Sequence, residues 1–162
     1  QQRLQRGVIG LALALLATVG LVHFAPEAKV DVEKSIHGSA TVATGMKQFA
    51  ELMASLDQEE KDVAAGKISI KESDERSRSV FAPRMAEVLK TLRNGYLPPS
   101  DPRLPVLKAT IRMGELMEES LAMKSVYQAG SNIPVPADPA RAVEIKREMV
   151  EVMTTINKAN SQ

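Results

Sequence analysis

The sequence predicts an all-α protein: a single N-terminal transmembrane helix followed by an extramembrane antiparallel helical bundle of about four helices. Three observations predict it. Residues 7–26, GVIGLALALLATVGLVHFAP, contain no Lys, Arg, Asp or Glu. Glycines and prolines gather between long stretches that are nearly free of both, which is how a helical chain is punctuated. Within those stretches apolar residues recur at spacings of three and four, the period of one helix face.

The bulk composition narrows the class. The chain has 162 residues, a formal net charge of +1 and no cysteine. Outside the apolar run enough chain remains for one domain with its own core. Lys and Arg are interleaved with Asp and Glu, so the concentrated basic face of a nucleic-acid binder is not expected. Without cysteine there is no disulfide, no thiolate metal site and no thiol nucleophile. Aromatic residues make up 3% and Trp is missing. The core must be built from Leu, Val, Ile, Met and Ala.

Residues 1–6 read as a short cytoplasmic N-terminus and 7–26 as the transmembrane anchor. Roughly 20 residues give ~30 Å of helix, the thickness of a bilayer's hydrocarbon core. A cleaved signal peptide would carry a shorter apolar run and a small-x-small site. Here Ala25 precedes Pro26, Ala28 has Pro26 two positions before it, and Thr18-Val19-Gly20 lies inside the run. Arg3 and Arg6 precede the span, whereas Glu27, Asp31 and Glu33 outnumber Lys29 and Lys34 after it. The positive-inside rule puts the N-terminus in the cytoplasm and the remainder outside, which in a bacterium is the periplasm. Gly10, Ala14 and Ala17, with Gly7, offer a loosely spaced small-residue face for a partner helix; simple tolerance of glycine in membrane helices is the favoured explanation of Gly10 and Gly20.

Residues 27–40 read as a polar linker, with Val30 and Val32 alternating and His37-Gly38 as a flexible pair. Residues 41–162 form the expected helical domain. Its first helix covers about residues 40–65, with Val42, Met46, Phe49, Met53, Leu56 and Val63 inward and Asp57–Lys61 paired on the surface. Gly66 stops it. Ser69-Ile70-Lys71-Glu72 is a capping box that starts the second helix after a very short turn, forcing the two antiparallel. Phe81, Met85, Val88 and Leu92 carry its core face. Pro83 should kink or restart it, and Asn94-Gly95 ends it. The segment YLPPSDPRLP is a stiff connection.

The third helix is expected over about residues 102–128, with two seams. One comprises Leu104, Leu107, Ile111, Gly114 and Leu121. The other comprises Met113, Leu116, Ser120, Met123 and Tyr127. At ~100° per residue they lie on nearly opposite sides. Two apolar faces fit a central helix, or a helix that packs on another protein chain. The loop GSNIPVPADP then leads to Asp138 as N-cap and Pro139 at the first helical position. The last helix turns Ala142, Ile145, Met149, Val152, Met153 and Ile156 inward.

Chemistry-bearing patterns are sparse. His23 sits at the end of the apolar run and His37 in the linker, and neither lies on a core seam with a serine and a carboxylate. Glu-x-x-His, His-x-x-x-His and glycine-rich phosphate loops do not occur. The acidic residues at 57–62 and Glu118-Glu119 read as solvated helix faces. The eight methionines read as gap-fillers of a core poor in aromatics rather than a Cu(I) site. No catalytic residue, cofactor or metal is expected. The sequence therefore favours a non-catalytic, membrane-anchored accessory or scaffold subunit of a larger membrane complex. Its expected partners are other subunits, or itself, and the lipid bilayer through residues 7–26, with no nucleic acid. Met113, Leu116, Met123 and Tyr127, helped by Tyr96 and Leu97, are the expected contact residues. The alternative is a periplasmic helical sensor or chaperone that binds a ligand or an unfolded chain.

Overall fold

In the computed structural model residues 32–160 are described, apart from 129 and 132. The membrane-span expectation for residues 7–26 lies outside them, and no helix among the described residues is long and apolar enough to cross a membrane. The described chain is mostly helical, as expected of an all-α protein.

Helix α1 spans Val32–Ala64. Gly66, at φ +70°, ends it. Its N–H donates to the Val63 carbonyl (3.0 Å) and the Lys67 N–H to the Asp62 carbonyl (2.9 Å), the paired bonds of a Schellman motif. Ser69 then caps α2 (Ile70–Arg76), accepting from the Glu72 N–H at 3.1 Å. The serine half of the expected box is thus formed.

Pro83 does not break the returning helix. A wide π turn, Ser77–Phe81, joins α2 to α3 (Ala82–Asn94), and the Ala82 N–H reaches back five residues to the Ser77 carbonyl. Proline removes one donor and crowds the carbonyl four residues before it. Widening the turn just ahead of it absorbs both without ending the helix.

Helix α4 spans Leu104–Ala122 and α5 spans Pro139–Asn160. Asp138 caps α5, accepting from the Arg141 N–H at 2.9 Å, as its sequence position predicts. Between them lies a small antiparallel hairpin, β1 (Ser125–Tyr127) and β2 (Pro134–Pro136), in the register Ser125↔Pro136, Val126↔Val135, Tyr127↔Pro134.

The helices follow one another in space as they do in sequence. α1 packs on α3, α3 on α4 and α4 on α5, and among the described residues no comparable contact joins α5 back to α1. The four-helix bundle is not closed. The arrangement is a series of antiparallel helical hairpins. One continuous apolar core runs through it, from Val42, Phe49, Leu52, Met53 and Leu56 on α1 to Ile145, Met149 and Met153 on α5.

Three expectations need correction. Residues 32–40 are not linker but the opening turns of α1. Gly38 is buried there rather than flexible: its carbonyl accepts from the Tyr96 N–H at 3.3 Å, and an added Cβ would meet Tyr96 Cβ at 2.6 Å. The third helix ends at Ala122, not near 128, because Met123 turns extended (φ −64°, ψ 130°) and the chain enters β1. In the hairpin, Ala137 N–H donates to the Lys124 carbonyl at 2.8 Å. By the alternation of an antiparallel ladder, Pro134 and Pro136 then occupy the positions that owe no donor to β1.

Candidate functional site

The predicted contact residues do not form one surface. Met113 and Leu116 lie in the core, 4% and 0% exposed, and Leu97 is buried with them. Helix α4 is central: it packs on α3 and on α5. The second seam is therefore used within the chain, and Met113 and Leu116 are corrected from partner contacts to core residues. Met123 is half-buried at the C-terminal end of α4. Tyr127 sits on β1 instead of continuing that seam. Tyr96 is at the opposite end of the molecule, against the start of α1. Gly10, Ala14 and Ala17 lie outside the described residues.

Tyr127 belongs to a polar cluster that the sequence did not signal. Asp74, on the polar half of the returning helix, accepts from Ser125 Oγ (2.5 Å), Tyr127 Oη (2.9 Å) and Arg78 Nη1 (2.6 Å). Burial pushes its carboxyl upward, but the hydrogen bonds from Ser125, Arg78 and Tyr127 outweigh that and hold it below the usual carboxylate range. Burial, and then the bond to Asp74, push the Tyr127 phenol up to about 12. Both hydroxyls are held as donors to one ionised carboxylate. The cluster ties α2 to the hairpin. Nearby, Glu59 is buried on α1. Its Oε2 lies 3.2 Å from Arg76, while its Oε1 has no hydrogen-bond partner.

A second set of charges crosses the outer face of α3, α4 and α5. Arg93 meets Glu115 at 2.7 Å, and Arg112 bridges Glu115 (3.2 Å) and Glu148. Arg141 reaches Glu119 (2.6 Å), Glu144 (2.7 Å) and Glu148 (3.1 Å). Hydrogen bonds from Arg93 to Glu115, from Arg141 to Glu119 and from Arg112 to Glu148 keep these carboxyls below their ordinary range. The charges neutralise one another across helix boundaries and so set the packing of α5 on α4. Among the described residues no group of three or more His, Asp or Glu side chains is placed to hold a metal ion.

The exposed apolar side chains lie in four places, one of them Val80 on the π turn. Ile36 and Tyr96 mark the end where α1 begins. Val126 and Ile133 mark the hairpin end. Val143 and Val150, 68% and 58% exposed, stand on α5. Seven residues apart, the two valines share one helix face, turned away from the buried Ile145, Met149 and Met153. Between them Arg147 pairs only loosely, with Glu144 at 3.9 Å and Glu151 at 3.7 Å. The signal was present in the sequence: both valines fall off the inward stripe of the last helix. Comparison with protein-family models, with curated proteins and with solved structures finds no match.

Proposed function

We propose that the protein is a non-catalytic accessory subunit of a larger membrane complex. Residues 7–26 anchor it, its N-terminus is cytoplasmic, and its helical domain lies on the extracytoplasmic side. The observation that carries the reading is the outward valine pair on α5. A helix at the end of the series, already fixed to α4 by Ile145, Met149 and the Arg141–Glu119 and Arg112–Glu148 ion pairs, has no folding need for Val143 and Val150 in water. Apolar residues spaced as a second seam on an outer helix suit packing against another chain.

The partner surface thus moves from α4 to α5. Extraction of the native protein in mild detergent, followed by size analysis and mass spectrometry, should give a membrane complex of fixed stoichiometry. The double substitution Val143→Asp with Val150→Asp should release it from that complex while circular dichroism stays unchanged. A complex that survives this double substitution removes α5 as the contact. A native protein that runs as a free monomer removes the subunit reading itself.

A further inference from the structure

We infer that the end of the domain carrying Ile36 and Tyr96 rests on the bilayer surface, with these two side chains in the headgroup interface. The inference builds on the anchor reading of residues 7–26. Its own observation is the early start of α1. Had residues 27–40 been a linker, the domain would hang on a tether able to hold it well clear of the membrane. With α1 beginning at Val32, only residues 27–31 separate it from the apolar run. Five residues span at most about 18 Å when fully extended, and Ile36 lies one helical turn beyond.

The same end is tied together by contacts between distant parts of the chain. The Tyr96 N–H donates to the Gly38 carbonyl (3.3 Å), and Arg103 Nη1 reaches Ser39 Oγ (3.5 Å), so the loop between α3 and α4 is fixed beside the first turns of α1. Asp101, the one carboxylate of that loop, is held by Arg103 at 2.5 Å, which lowers the cost of bringing the loop toward lipid. Ile36 is 60% and Tyr96 43% exposed. An isoleucine gains by leaving water. A tyrosine suits the interface, with its ring toward the acyl chains and its hydroxyl toward the headgroups. The hairpin, with its own exposed Val126, lies at the other end of the helices, because α4 runs away from this end and α5 returns toward it.

The chain has no tryptophan, so single tryptophans report position without background. The full chain is reconstituted in phosphatidylcholine vesicles carrying spin-labelled headgroups, as Ile36→Trp, Tyr96→Trp or, for the distal end, Val126→Trp. Ile36 and Val126 are exposed, so at least two of the three substitutions disturb no packing. The expected result is flotation of all three with the vesicles, together with a blue shift and loss of most of the emission at 36 and 96 only. Flotation with tryptophans 36 and 96 quenched no more than 126 overturns the docking and leaves the anchor standing. Failure to float overturns both.

Discussion

Two junctions in this protein join distant parts of the chain by opposite means. Along α1 and α3 the contact is made by omission. Gly38, Gly45 and Gly95 let the helices approach until a Cβ at Gly45 would meet Leu92 Cδ2 at 2.6 Å and one at Gly95 would meet Val42 Cγ2 at 2.4 Å. Between α2 and the hairpin the contact is made by addition: one carboxylate, Asp74, collects a serine, a tyrosine and an arginine. The first junction should respond to volume and ignore pH. The second should respond to pH and tolerate changes of shape.

The largest effect is expected at the first. Gly45→Val forces a branched side chain against Leu92, which is fully buried and has no solvent to move into. Overpacking of this kind should cost about 3 kcal/mol, read as a lower urea midpoint with an unchanged slope. The loss should be the same at pH 5 and pH 8. A loss below about 1 kcal/mol would mean that the helices can slide apart freely and that glycine is not needed for the close approach.

A smaller effect is expected at the second. Asp74→Ala removes three hydrogen bonds to a half-buried charge and should cost about 2 kcal/mol. The hairpin amides should exchange faster with solvent while those of α1 and α3 keep their protection. The pH dependence follows from both partners. The Asp74 carboxyl is held below its ordinary value, so its contribution is present above the unfolded carboxylate range and is lost as pH falls through the folded value. The Tyr127 phenol is raised from 10.0 to about 12, so its contribution is present below its unfolded value and is lost as pH rises toward the folded one. Hairpin protection should therefore fall at both acid and alkaline extremes in the native chain. At the acid end Asp74→Ala should flatten that fall.

The same contrast explains what the sequence made legible. The caps at Gly66, Ser69 and Asp138 are local devices whose partners lie within a few residues, and all three sit where the residues predict. The inward stripes of α3 and α5 are equally readable, because Met85, Val88, Leu92 and Ile145, Met149, Met153 repeat at the helical period. The two junctions are not. A glycine that permits close approach is the same letter as one that permits a turn, so Gly38 read as flexible. Met123 and Tyr127 are four apart and fit a helix as well as a strand. What decides between them is Asp74, 51 and 53 residues from its hairpin partners. The partner role given to Met113 and Leu116 on the second seam of α4 has the same origin. Periodicity shows that a helix has two apolar faces, but only the neighbours α3 and α5 show that both are used inside the chain.

The smallest effect is the most discriminating. Tyr127→Phe keeps the ring and removes one of the three donors to Asp74, so it should cost about 1 kcal/mol on its own. In an Asp74→Ala background the same substitution should cost almost nothing, because the hydroxyl then has no carboxylate to serve. The difference between the two costs is the coupling energy of the pair, measured by a double-mutant cycle in urea. A coupling near 1 kcal/mol makes the junction a charge-assisted lock. Costs near zero in both backgrounds would mean that the tyrosine stabilises the hairpin through its ring, which the phenylalanine keeps and which stands opposite Pro134 across the strand pair. In that case the second junction would be held by shape, as the first is. The alkaline loss of hairpin protection in the native chain should then be no greater than that of the α1–α3 contact.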